Sequence, residues 1–228
     1  MYYGLINSMN RVVAPSYPAS LKLFIDALDG SYSGSGTTVV DKIGTQNGVM
    51  VNGVTWNATD GFIFDGTNDL ITFAHNSAIK PTTRGSISVM CRFTTSPNAG
   101  IVVSTMETNT YRKGVTIFQD GSPARSYVAS NTVGQSITYG SRFINTWKML
   151  TVTWDGTSIK NYINDSLYST VAQTVLVTSN TSPVTIGDLS PTDYPFQGNV
   201  SWLKIYDDVI TLSDVQDNFN SIKTRHGL

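Results

Sequence analysis

Leu21-Lys22-Leu23-Phe24-Ile25-Asp26-Ala27 opens a series of short segments in which apolar side chains recur at about every second position. A period of two fits a strand with a face in a core, because successive side chains point to opposite sides. Ile87, Val89, Cys91 and Phe93 share one phase, and so do Leu150, Val152 and Trp154. Further apolar runs fall at 49–51, 55–56, 62–64, 70–73, 101–105, 114–118, 159–163, 167–171, 184–186 and 200–206, with weaker ones at 127–129 and 137–139. Turn chemistry separates them. Asn52-Gly53 predicts a short hairpin, because this pair accepts positive φ. Asp65-Gly66-Thr67-Asn68-Asp69 predicts a tight polar turn, and Asp155-Gly156 and Asn164-Asp165 punctuate a meander. About a dozen short strands at such regular spacing predict an all-β, two-sheet antiparallel sandwich.

One helix is predicted, at 212–225. Leu212, Val215, Phe219 and Ile222 form its apolar stripe, and Ser213 with Gln216 fits a capping box. Asp214 lies in the first turn and Lys223 and Arg225 in the last, where they complement the helix dipole, and Gly227 is a stop. Packing on the sandwich is the simpler expectation for this helix; docking on a partner is the alternative. The chain thus divides into an arm, residues 1–20, and one sandwich domain, residues 21–228. The arm carries Tyr2, Tyr3, Leu5, Ile6, Val12 and Val13, an apolar set suited to ordering against a neighbouring subunit. A flexible terminus or an extra edge strand is the competing reading.

Composition narrows the function classes. Of 228 residues, 14% are charged, below the ~25% of an average globular chain, and Ser, Thr, Asn and Gly take their place. The net charge is −1 without a Lys/Arg cluster, which argues against a nucleic-acid partner. A single cysteine, Cys91, excludes an intrachain disulfide and reads as a small buried hydrophobe. Residues 1–20 lack the pattern of a signal peptide, and no apolar run is long enough to cross a membrane. The expectation is synthesis in a cytoplasm without a secretion signal of its own. The sequons at Asn57, Asn164, Asn180 and Asn199 are then chance matches.

Several segments, in order, resemble a known family. Leu23 to Ala27, Ser33-Gly34-Ser35-Gly36-Thr37-Thr38 with Asp41, and Gly48 to Trp56 are similar to the opening of concanavalin A-like/laminin-G-like domains found in phage virion proteins. Phe64-Asp65-Gly66-Thr67-Asn68-Asp69-Leu70-Ile71 is the most distinctive match. Trp147 to Gly156, Ile159 to Asn164, Ile186-Gly187 and Phe196 to Tyr206 continue it, and Leu212 to Asn220 with Arg225 and Gly227 resembles the tail of virion-associated members. The resemblance spans residues 21–228 and implies a jelly-roll sandwich. Residues 1–20 are an addition to it, and Val39-Val40 stand where relatives often carry Trp. It further implies a capsid decoration (cement) or tail-associated protein located in the virion. Its partners would be the major capsid or other virion proteins, with self-association and cell-surface glycan binding as further expectations.

The glycan-cleaving members of this fold pair two glutamates, and that chemistry needs carboxyls ~5–5.5 Å apart. The chain has one glutamate, Glu107, and Asp207-Asp208 are adjacent and cannot share a strand face. Nucleophile-elbow, phosphate-loop and zinc-protease motifs are absent, and His75 and His226 are far apart in sequence. No cofactor is required. The metal that suits the sequence is Ca²⁺, for which Asp65, Asn68 and Asp69 offer oxygen ligands, with Asp188 as a distant partner. The competing reading is that these side chains cap their own turn. For a sugar platform, Trp154 and Trp202 read as core and Trp56 and Trp147 remain open, with Tyr111, Tyr139 and Tyr194 as alternatives. The expectation is a non-enzymatic virion structural protein, or alternatively a glycan-binding module for host-surface attachment.

Overall fold

The computed structural model describes residues 16–44, 46–95, 100–107, 113–120, 123–130, 133–140, 143–189 and 193–228. The arm residues Tyr2 to Val13, and Tyr111, lie outside the described residues. In chain order the first strands are Leu21–Asp26 (β1), Thr38–Val39 (β2), Gly48–Val51 (β3), Thr55–Asn57 (β4), Gly61–Asp65 (β5), Leu70–Phe73 (β6), Gly85–Phe93 (β7) and Gly100–Ser104 (β8). Then come Gly114–Gln119 (β9), Ala124–Ser130 (β10), Val133–Thr138 (β11), Lys148–Trp154 (β12), Ser158–Ile163 (β13), Ser166–Ala172 (β14), Val184–Ile186 (β15) and Gln197–Tyr206 (β16). The helix Leu212–Ile222 (α1) follows.

The strands form two eight-stranded sheets. The first has the order β14-β13-β12-β7-β16-β5-β4, with β1 also on β16; the second runs β11-β10-β9-β8-β15-β6-β3-β2. All pairings between these strands are antiparallel. Strand β16 serves two partners along one side: Gln197 to Val200 pair with β5, and Trp202 to Tyr206 with β1. A register shift between Val200 and Trp202 lets Val200 and Leu203 face the inter-sheet core while Trp202 faces outward.

The inter-sheet core takes one phase of each strand. Leu23, Ile25, Ile87, Val89, Leu150, Val152 and Trp154 meet Ile71, Phe73, Val103, Val115, Ile117, Val184 and Ile186. Cys91 lies in this core, as its phase predicts, and burial pushes its thiol pKa far up. Polar links through Asn161 on β13 cross the core: Ser126 Oγ on β10 donates to its Oδ1 at 2.8 Å, and its Nδ2 donates to Ile137 O on β11 at 3.3 Å. Along the β11/β14 side of the sandwich, the Gln135 amide donates to Ala172 O at 2.7 Å and accepts from Thr174 N at 2.9 Å, stapling the two sheet edges together.

The outer face of the first sheet is covered. Val215, Phe219 and Ile222 of α1 pack on Phe24, Met90, Met149, Trp202 and Tyr206 in a second apolar cluster. Helix docking on the sandwich is therefore the observed arrangement. Lys204 reaches between the Phe24 and Trp202 rings, 4.7 and 4.9 Å from their centroids, and donates to Asn218 Oδ1 of the helix. Past α1 the chain makes a 3₁₀ turn, Lys223–His226, which ends at Gly227, whose φ is 69°. Arg225 closes the tail onto buried Asp26 with both carboxylate oxygens within 2.9 Å.

Three expectations change here. Asn52 and Gly53 do take positive φ, 63° and 111°. Yet β3 pairs with β6 in the second sheet and β4 with β5 in the first, so the turn passes the chain between sheets and closes no hairpin. The cap of α1 is Thr211 with Asp214, not Ser213 with Gln216: Thr211 accepts from Asp214 N, and the Asp214 carboxylate accepts from Thr211 N. The chain is fixed just upstream, where Ile210 is buried and its N–H donates to Ser86 Oγ, and this sets the start at Thr211. Leu212 is consequently exposed and not part of the stripe.

Candidate functional site

The outer face of the second sheet carries no helix among the described residues. Because Val115 and Ile117 enter the core, Thr116 and Phe118 point outward from β9. The strand register then sets their neighbours. Phe118 lies between Ile101 on β8 and Arg125 on β10, and Thr116 between Ser104 and Tyr127. Tyr127 in turn faces Ser136 on β11. The second of these rows continues across the whole sheet as Ser104, Thr185, Thr72, Val49 and Thr38, so a nearly unbroken line of hydroxyl residues crosses this face.

A hollow of about 280 Å³ opens over β8 to β11. Phe118 and Tyr127 line its base as a corner, with ring centroids 6.4 Å apart and planes near perpendicular at 84°. Tyr127 lies flat because β11 has Gly134 beneath it: a Cβ there would sit 1.8 Å from the tyrosine oxygen. Asp120 and Arg125 supply the charge, Nη1 to Oδ2 at 4.0 Å, which is an ion pair too long for a hydrogen bond. Arg125 Nε is buried and has no hydrogen-bond partner.

The walls come from elsewhere in the chain. Met106 follows β8, and Leu189 and Tyr194 come from the segment after β15. Buried Asp188 holds that segment, its Oδ1 accepting from Leu189 N at 2.6 Å and Tyr194 N at 2.8 Å. Tyr194 O in turn accepts from Ile101 N, tying the wall to the edge of the hollow. Gly187, with φ 99°, makes the approach: a Cβ would meet the Phe64 ring at 2.4 Å and Asp69 O at 2.7 Å.

This arrangement presents two aromatic faces, one acceptor carboxylate and one donor guanidinium in a concave, largely apolar setting, the usual make-up of a small-ligand site. It does not present paired carboxylates. Among the described residues Asp120 is the one acidic residue lining the hollow, and Glu107 lies outside that lining and pairs with Lys113 at 3.5 Å. Sequence reasoning named Tyr194 but not Phe118, Arg125 or Tyr127.

The other residues singled out from sequence fall elsewhere. Trp154 and Trp202 are buried, as expected, Trp147 is buried under the C-terminal tail with His226 stacked on it at 4.1 Å, and Tyr139 is inside the core. Trp56 is partly exposed in a cleft with Tyr32, ring centroids 5.5 Å apart, and its indole N–H is spent on Ala27 O. Of the proposed calcium ligands, Asp65 accepts from Thr67 N at 2.7 Å and Asp69 Oδ2 from Asp65 N at 3.0 Å, both turn-capping bonds. Asn68 gives its carbonyl to Asn52 Nδ2. Asp69 is buried, its Oδ1 is unpartnered, and burial raises its pKa. No cluster of three His, Cys, Asp or Glu able to hold a metal occurs among the described residues. His75 is exposed in a loop. No described helix is long and apolar enough to cross a membrane.

Comparison with known proteins matches this architecture. The family model of the concanavalin A-like lectin/glucanases superfamily (laminin G type) matches residues 65–216, and the chain belongs to that family. No curated protein matches the sequence. Among solved structures, the botulinum neurotoxin serotype G binding domain superposes with a TM-score of 0.70 at 18% identity, over 88% of this chain and 51% of that one. The binding domain of Paraclostridial Mosquitocidal Protein 1 gives 0.71 at 16%, over 89% and 52%. The serotype D ligand-binding domain solved with N-acetylneuraminic acid gives 0.70 at 16%, over 89% and 51%. The chain spans about half the length of these neighbours, and the likeness is one of fold.

Proposed function

We propose that the chain is a non-catalytic saccharide-binding sandwich displayed on a virion, as a capsid decoration or tail-associated protein. The observation that carries the binding half is the hollow: Phe118 and Tyr127 offer faces for the C–H side of a sugar ring, while Asp120 and Arg125 offer an acceptor and donors for its hydroxyls. The lack of a carboxylate pair in that hollow supports a non-hydrolytic reading. That solved neighbours of the same fold are receptor- and ligand-binding domains supports it further. Screening on a glycan array tests it. Wild-type protein is expected to bind a defined subset, and Phe118→Ala and Tyr127→Ala to lose that binding with unchanged melting. An array blank for the folded protein overturns the reading, and release of reducing ends from polysaccharides overturns its non-catalytic part.

The virion setting rests on the resemblance of the chain's segments, in order, to virion-associated domains. In it, Tyr2, Tyr3, Leu5, Ile6, Val12 and Val13 dock the arm on a capsid neighbour or a second copy. Mass spectrometry of purified particles should find the protein, and removal of residues 1–20 should leave it folded but unable to remain on particles. Normal incorporation of that truncation ends the arm-docking role.

One observation favours calcium at the 65–69 turn, the unpartnered Asp69 Oδ1. With Asp65 and the turn carbonyls it would supply oxygen ligands of the right kind. Calorimetric titration is the test: heat that disappears in Asp69→Asn supports the site, and a silent titration leaves the turn bonds as the whole role of these residues.

A further inference from the structure

Arg125 holds a donor for which the described residues offer no acceptor. Its Nε–H is buried without a hydrogen-bond partner. Its ion-pair neighbour, Asp120, stands 4.0 Å from Nη1 and is half exposed, so that contact is loose and easily exchanged. The strand register puts this guanidinium directly across from Phe118, and Tyr127 is the next outward residue along β10. A planar guanidinium presents paired N–H donors, a fork that matches the two oxygens of one carboxylate, and the part-exposed end of Arg125 lines the hollow. A neutral sugar hydroxyl takes one such donor; a carboxylate takes two and adds its charge.

We infer that the hollow's ligand is an acidic saccharide, whose carboxylate takes the Arg125 fork while its ring rests on Phe118 and Tyr127. This rests on the saccharide-binding reading above. Asp120 then acts against the ligand charge, and its exposed position lets it turn aside. Sulfate esters share the anionic chemistry but not the flat two-oxygen match, and they serve as an internal comparison.

The experiment uses the full chain and matched probes: glucuronide- and sialoside-terminated oligosaccharides, the same compounds with the carboxylate reduced to an alcohol, and sulfated counterparts. The intact acids are expected to bind at least about tenfold more tightly than the reduced forms, as a charge-assisted bidentate pair implies. Arg125→Gln should erase this preference and leave residual binding, Arg125→Lys should recover only part of it, and Asp120→Asn should strengthen acid binding several-fold. Melting curves confirm that each variant is folded. Equal binding of acids and alcohols, or a preference for sulfates that survives Arg125→Gln, overturns the inference and leaves the saccharide reading standing. Binding to none of the probes or to any other glycan sinks both.

Discussion

Gly134 and Gly187 decide the shape of the hollow without lining it. In Gly134→Ala the new methyl occupies the place of the Tyr127 ring. The ring must lift, and glycan affinity is expected to fall about tenfold in a binding titration, roughly 1.4 kcal/mol, with little change in stability because both positions face solvent. Gly187→Ala is a different defect. It combines a left-handed φ with a collision against Phe64 and Asp69 O, and urea denaturation should register a loss of about 2–4 kcal/mol. Residue phase was legible in the sequence for Cys91 and Trp154, which are core because the period of two says so, whereas Trp202 is buried beneath α1 after a register shift turns it to the other face. The hollow was not legible. Phe118, Arg125 and Tyr127 become neighbours only through the order of β8 to β11, and Tyr194 joins them from a segment some seventy residues on.

At the level of elements, local chemistry fixed conformation but not partners. Asn52-Gly53 has the dihedrals its residues demand, while core packing decides that the strands on either side belong to different sheets. The helix start repeats the lesson, because Thr211/Asp214 and Ser213/Gln216 both have capping spacing and the anchoring of Ile210 selects the first. Thr211→Ala should therefore cost about 1 kcal/mol in a thermal or urea melt, and Ser213→Ala almost nothing. The tail turn after α1 gives a pH signature. Burial, with the charges of Arg225 and Arg92, lowers the His226 pKa to about 4, and Asp60 opposes the shift. The neutral imidazole accepts or donates at Ser201 Oγ, 2.9 Å away, and stacks on Trp147. A histidine pKa depressed on folding means that stability is present above about pH 6.5 and is lost as pH falls toward 4. Because the ring is partly exposed, the loss is expected to be no more than about 2 kcal/mol. Melts at pH 7 and pH 4.5 should differ less in His226→Gln than in wild type, and an equal difference would rule out His226 as the cause.

On the scale of the whole molecule, the two sheets have divided their work. The first sheet is closed on its outside by α1 and locked by the Asp26–Arg225 contact, so both of its faces contribute to stability. The second sheet commits one face to the core and carries the hollow on the other, at its β8–β11 end. Loss of the Arg225 lock in Arg225→Ala is accordingly expected to lower the melting temperature by several degrees, of the order of 1–3 kcal/mol, while glycan binding at saturation is unchanged. The all-β architecture and the helix were readable from periodicity and turns, because those signals are local. The allocation of faces was not, because it depends on where a helix at the very end of the chain comes to rest.

The hollow draws its floor and both charged groups from residues 101–136, a single uninterrupted stretch. On the binding role proposed above, recognition is packaged as a cassette: exchanging that stretch between related sandwiches should change which ligand is held while the far sheet, the helical cover and the Asp26–Arg225 contact stay as they are.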